Sequence, residues 1–293
     1  MVLYVDITQL EKGRANTGIQ RVVKEFLQRV VYCEEIELYA ISYNSKIKCT
    51  ELLDNEEIKL FLKDIKNYRF INLTTIDMED IKASKTTIFF DIDAVWNSPL
   101  KREKLYPILK ANGFLIFNFI YDLVPILLPQ TAHQVTTNNF IPYMDMVYKY
   151  SDLIFFDSHS AQQDFFDYRD RLCITKDYST KVIPLGSDFR TISVLKHKEY
   201  EELLNSKYIL FVGTIEPRKY QEKVLSAFDT LSKKYKDLNL VFIGKQGWKV
   251  DELADKIRTH TLKDKALFWL ENIDDDTLNH FYKNAFIVTY LSQ

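Results

Sequence analysis

FVGTIEPRKYQEKVLSAF, residues 211–228, is the stretch that decides the fold. An apolar run ends in a turn holding Glu216, Arg218 and Lys219, and beyond it Val224, Leu225, Phe228 and Leu231 recur at the spacing of one helix face. The pattern is strand, charged turn, helix. In an open parallel sheet ligands gather outside the carboxyl ends of the strands, where the next helix begins with unpaired N–H groups and a partial positive charge. Pro217 suits a first helical turn. Arg218 would add a planar guanidinium fork and Lys219 a point charge. A phosphate or diphosphate fits such a place, and a solvated charged pair at a helix start is the alternative.

Working outward, short β-branched or aromatic runs alternate with longer stretches of helical period, the mark of a parallel α/β sheet. Strands are predicted at residues 2–6, 37–41, 87–91, 114–121, 153–157 and 181–184, then at 208–212, 239–243, 266–270 and 285–291. Helices are predicted at residues 18–32, 131–150, 220–235, 249–259 and 275–283. This gives two Rossmann-like domains in series, residues 1–190 and 207–293, with a polar linker at 191–206. The second has four predicted strands where a doubly wound domain has about six, so it reads as incomplete.

Composition removes several classes. With 46% hydrophobic and 27% charged residues and a formal charge of −2, the chain is globular and lacks the basic surface that nucleic acid requires. Cys33, Cys49 and Cys173 are too few and too scattered for a disulfide framework or a metal site. No signal peptide opens the sequence, and the most apolar stretch, residues 114–129, is short for a span and broken by Asn118, Asp122 and Pro125. A cytoplasmic protein is expected. No G-x-G-x-x-G follows a strand, and P-loop, H-E-x-x-H and G-x-S-x-G motifs are missing. Ser158 looks like a helix cap, and His133 and His159 are read as helix-start residues or sheet-edge groups.

FVGTIEPRK (residues 211–219), LVFIGKQGW (240–248), LFWLENI (267–273) and the early DITQL with GRANTGIQRVVKEFL, between Asp6 and Leu27, together resemble retaining glycosyltransferases. The resemblance is to the two-domain GT-B type, family 4, and within it to the mannosyltransferase-like members of bacterial O-antigen, capsule and exopolysaccharide synthesis. It implies a nucleoside-diphosphate sugar as donor, with GDP-mannose as first candidate, a saccharide or lipid-linked saccharide as acceptor, and neither metal nor cofactor. It also implies peripheral contact with the inner face of the cytoplasmic membrane. By the same resemblance Lys219 binds the donor diphosphate with Arg218 beside it, and Thr17, Gly18 and Arg21 lie over the donor phosphates. Gly244, Lys245, Leu270 and Glu271 fall on the nucleoside side, and Tyr121 and Asp122 face the sugar. Asp122 has a second reading, as a cap on the turn after a buried strand. Trp248 and Trp269 are expected to pack, and Glu216 to reach back to N–H groups of its own turn.

The residue types suit the chemistry. Glycosyl transfer passes through an oxocarbenium-like state while charge grows on the departing diphosphate, so fixed cations and a helix N-terminus stabilise the leaving group. In the family retention is attributed to attack on one face, with the donor phosphate accepting the acceptor's proton. The family's E-x7-E segment, around EGFGLP, has no counterpart among these residues. The expectation is therefore an enzyme known as a fragment, or a non-catalytic truncated homologue that serves as a nucleotide-binding or interaction subunit.

Overall fold

The structure is a computed structural model that describes residues 1–13, 18–71, 73–186 and 197–292. It divides into two compact units, Met1–Gly186 and Ser187–Gln293. Of the predicted linker, residues 191–196 lie outside the described residues. The remainder is folded: Lys198–Tyr200 and Glu201–Leu204 are short helical turns, and Leu204 packs into the second unit with Tyr208 and Phe281.

The first unit is built on β1 (Val2–Asp6), β2 (Glu37–Asn44), β3 (Cys49–Leu53), β4 (Thr74–Ile76), β5 (Thr87–Asp91), β6 (Leu115–Ile120), β7 (Leu153–Phe156) and β8 (Thr180–Val182). Their order is β4-β3-β2-β1-β5-β6-β7-β8, with β3 and β4 antiparallel to their neighbours and the others parallel. Every residue of β1 and β5 is buried. Leu3, Val5, Ile88 and Phe90 face one core with Val23 and Leu27 of the helix Gly18–Val30, while Val2, Tyr4 and Phe89 face the other with Tyr106. That alternation is what a parallel sheet covered on both sides requires. The order reverses direction between β1 and β5, so the crevice of this unit lies beyond Asp6 and Asp91.

The second unit holds β9 (Lys207–Val212), β10 (Leu238–Ile243), β11 (Leu267–Leu270) and β12 (Ile287–Val288), all parallel, in the order β11-β10-β9-β12. Renumbered from one, this is 3-2-1-4, the first four positions of the doubly wound order. The last strand, predicted over residues 285–291, shrinks to two residues. It pairs only through Ile287 with Ile209 and Val288 with Leu210, and Phe286, Ile287 and Val288 stand about half exposed along its edge. No helix among the described residues is long and apolar enough to cross a membrane.

Candidate functional site

The site of the second unit begins with two glycines. Gly213 and Gly244 end β9 and β10 at φ +147° and +150°, a region that favours glycine. Beyond them the pairing of the two strands continues into their turns: Gly213 N–H donates to Ile243 O at 2.8 Å, Ile215 N–H to Lys245 O at 2.9 Å and Gly247 N–H to Ile215 O at 2.9 Å. The backbones come so close that a Cβ on Gly244 would lie 2.2 Å from Gly213 O, and one on Gly247 2.5 Å from Ile215 O. Both glycines of GKQGW are therefore there for contact.

Zipped in this way, the first turn presents its charges. Pro217–Lys219 is a 3-10 turn, Tyr220 takes a left-handed conformation at φ +52°, and the helix Gln221–Lys234 starts with no side-chain cap on its first N–H groups. Glu216 is buried, and its Oε1 lies 3.0 Å from Arg218 Nη2 and 3.4 Å from Lys219 Nζ, in neither case aligned as a hydrogen bond. The expected return of Glu216 to backbone N–H groups is thus corrected: burial makes a charge partner worth more than a neutral one. Arg218 Nη1 also donates to Ser292 Oγ at 3.1 Å. Lys219 lies under Gly213, where an added Cβ would sit 2.9 Å from Nζ, and over the ring of Tyr290 at 5.9 Å. Two cations share one carboxylate oxygen, so the turn keeps a surplus positive charge for an anion.

The residues assigned to the nucleoside side come together at the ends of β10 and β11. Leu270 O accepts Gly244 N–H at 3.0 Å, and Glu271 Oε1 accepts Gln246 N–H at 3.1 Å. Lys245 is exposed, and its carbonyl accepts Ile215 N–H. Trp269 packs in the core of this unit and donates from Nε1 to Gly244 O at 2.7 Å. Arg258 was not foreseen: its guanidinium stacks 5.0 Å from the Trp269 ring and donates to Gln246 Oε1 at 2.6 Å. It sits among the alternating charges of an exposed helix face, and no motif marks it.

In the first unit Tyr121 and Asp122 follow β6. The Tyr121 hydroxyl donates to Ile92 O at 2.7 Å, and burial pushes its pKa far above the usual phenol. Asp122 is exposed, and its Oδ1 accepts Val124 N–H at 3.1 Å, which caps the turn Val124–Leu127. Gly18 opens the helix Gly18–Val30 with open space where a Cβ would be, and Thr17 lies outside the described residues. Ser158 caps the helix His159–Arg171 by accepting Ala161 N–H at 3.2 Å, and His133 caps Gln134–Tyr150 through Nδ1 and Val135 N–H at 3.2 Å.

A cluster that sequence reasoning missed closes the carboxyl edge of the first sheet. Arg102, buried, donates from Nε and Nη2 to Asp91 at 2.7 and 2.5 Å and from Nη2 to Asp6 at 2.8 Å. Burial pushes the Asp91 carboxyl up and Arg102 pulls it back. Asp93, also buried, has its pKa raised by that burial to about 6. The Asp-Ile-Asp run at a strand end was visible in the sequence, but the return of Arg102 to Asp6, 96 residues away, was not.

Residues 195–293 match the family described as Glycosyl transferases group 1. Two Escherichia coli proteins, each a serotype-specific mannosyltransferase WbdA, are 27% identical over 312 residues, covering 99% of this chain and 35% or 36% of their own length. The chain thus spans about a third of the curated relatives it matches. Among solved structures, Anabaena HepE in complex with UDP superposes with a TM-score of 0.54 at 14% identity, covering 99% of this chain and 74% of that one. Trehalose-6-phosphate synthase OtsA superposes at 0.56 with 12% identity, covering 98% and 77%. These two share its architecture, so the chain has the GT-B fold, and the match to the group 1 glycosyltransferases lies in its second unit.

Proposed function

We propose that the chain serves in transfer of a hexose, mannose as first candidate, from a nucleoside-diphosphate sugar to a saccharide or lipid-linked saccharide. The reaction proceeds with retention, in bacterial surface polysaccharide synthesis at the inner face of the cytoplasmic membrane. The observation that carries this reading is the pair Arg218 and Lys219, held by one buried oxygen of Glu216 beside an uncapped helix start. Such a turn takes a diphosphate and stabilises it as it leaves. The group 1 match and the mannosyltransferases among the relatives support the same reading.

A second reading, a nucleotide-binding or interaction subunit without turnover, draws on the first unit. Tyr121 is held to a backbone carbonyl and Asp122 caps a turn, so both candidates on that side already have structural bonds. Calorimetry with GDP and UDP, together with a transfer assay on GDP-mannose and other sugar nucleotides, separates the two. Lys219→Ala should weaken nucleoside-diphosphate binding roughly 10- to 100-fold, the worth of a charge-assisted hydrogen bond. Arg218 remains in that variant to neutralise Glu216, so the turn keeps its shape. Unchanged affinity would remove the assignment, and wild-type binding without turnover would favour the second reading.

A further inference from the structure

Asp6, Asp91 and Asp93 are three buried carboxylates around one buried cation, Arg102, which bonds only the first two. Among the described residues Asp93 has no cationic partner. Its Oδ2 accepts Leu10 N–H at 2.7 Å and its Oδ1 accepts Ala94 N–H at 2.7 Å. Leu10 is 83 residues away in sequence, in the short helix Thr8–Gly13, whose first N–H, that of Thr8, goes to Asp6 Oδ1 at 2.8 Å. The Leu10 side chain, 1% exposed, packs in the same core as Ile19 and Val22 of the helix that Gly18 opens. A carboxylate just past β5 therefore holds, through one backbone bond and one side chain, the element that leads to Gly18.

We propose that Asp93 is the positioning residue of the Gly18 segment: by bridging Leu10 and Ala94 it fixes the helix Thr8–Gly13 and so the start of the helix Gly18–Val30. What Gly18 contacts rests on the donor reading above, whereas the anchor itself does not.

The groups that face Asp93 are Asp6 on β1, Asp91 on β5, Tyr121 after β6, and Arg102 behind the other two carboxylates. Burial pushes the Asp93 pKa up to about 6, the Ala94 and Leu10 N–H groups pull it down, and Asp6 and Asp91 add a smaller upward push. Its free value is 3.8, so a proton binds the closed site more tightly than an opened, solvated one. Lowering the pH stabilises the closed anchor, and raising it from about 4 to about 6 eases local opening.

Hydrogen exchange resolved at Leu10 and Ala94 in the full chain tests this, alongside calorimetry with GDP and UDP. In the wild type, Leu10 protection, corrected for intrinsic exchange, should fall as pH rises towards about 6 and then level off. In Asp93→Asn it should be flat with pH, with one carbonyl acceptor retained. In Asp93→Ala both amides should lose protection and nucleotide affinity should drop roughly tenfold, with Asp93→Asn recovering part of it. Unchanged protection in both variants would overturn the proposal, whereas lost protection with full nucleotide affinity would uphold the anchor and remove Gly18 from the donor site. A wild type that binds no nucleotide but shows the exchange pattern would remove the donor reading and leave the anchor standing.

Discussion

The two sheets end their carboxyl edges with the same residue types put to opposite uses. In the first, Arg102 is 2% exposed and its Nε, Nη1 and Nη2 all donate to Asp91, Asp6 and Leu100 O. In the second, Arg218 and Lys219 stay partly exposed and share a single oxygen of Glu216. A buried cation with four of its five N–H groups committed to two carboxylates and a carbonyl is structural, since its charge is already spent inside the protein. Cations that outnumber their counter-ion at a helix start keep donors to give.

The sharpest way to break this contrast is Arg102→Met. It leaves Asp6 and Asp91 buried without a charge partner, which costs about 3–5 kcal/mol. The loss should appear in the unfolding transition of the first unit alone, followed by denaturant titration with a probe in each unit. A shift below about 1 kcal/mol would mean that the carboxylates take up protons and that the cluster is not an ion-pair core.

Next in size is Gly244→Ala in the second unit. The new methyl would overlap Gly213 O, at 2.2 Å, on a backbone at φ +150°. About 2–3 kcal/mol of strain is expected, and the two turns must separate to relieve it. Nucleoside-diphosphate affinity should fall in step with the second unit's stability while the first unit's transition stays put. Retained affinity would show that the turns bind independently and that the zipped pair is not the cradle.

How much of this was legible in the sequence follows from the range of each interaction. β1, β5 and β9 are short apolar runs that end where charges or glycine appear, and local pattern finds them. β3 and β4 passed unnoticed because the turn between β2 and β3 contains no glycine; Lys48 itself takes the left-handed conformation, at φ +54°. The helices Asn55–Lys63 and Arg102–Ala111 were missed as well, the first started by Asp54 accepting Glu57 N–H at 2.9 Å, a local cap that an acidic stretch conceals. Gly244, Lys219 and Glu216 stand in motif-like turns and could be singled out. Asp93 and Arg102 could not, because what they do depends on burial and on partners that only the folded chain brings near, and for Glu216 it was the burial, and so its role, that stayed hidden.

The smallest expected effect lies at the surface end of the same contrast. His197 touches Glu199 Oε1 through Nδ1 and Asp274 Oδ2 through Nε2, both at 2.9 Å, and Asp274 also caps the helix Asp275–Asn284 by accepting Thr277 N–H at 2.9 Å. The bond to Glu199 foremost, with Asp274 adding to it, raises the His197 pKa above its ordinary 6.5. A raised histidine pKa contributes stability that is complete below the free value and is lost as pH rises through the folded one. Being exposed, the triad is screened by water and salt, so its share stays far below that of Arg102. Thermal midpoints of the second unit in the wild type and in His197→Gln should differ slightly at about pH 5.5 in low salt, and coincide at about pH 8.5. They should also coincide at about pH 5.5 once salt reaches roughly 0.5 M. A difference that survives both changes would assign the contact to neutral hydrogen bonding, and the line drawn between buried and exposed charge in this chain would have to be redrawn around geometry alone.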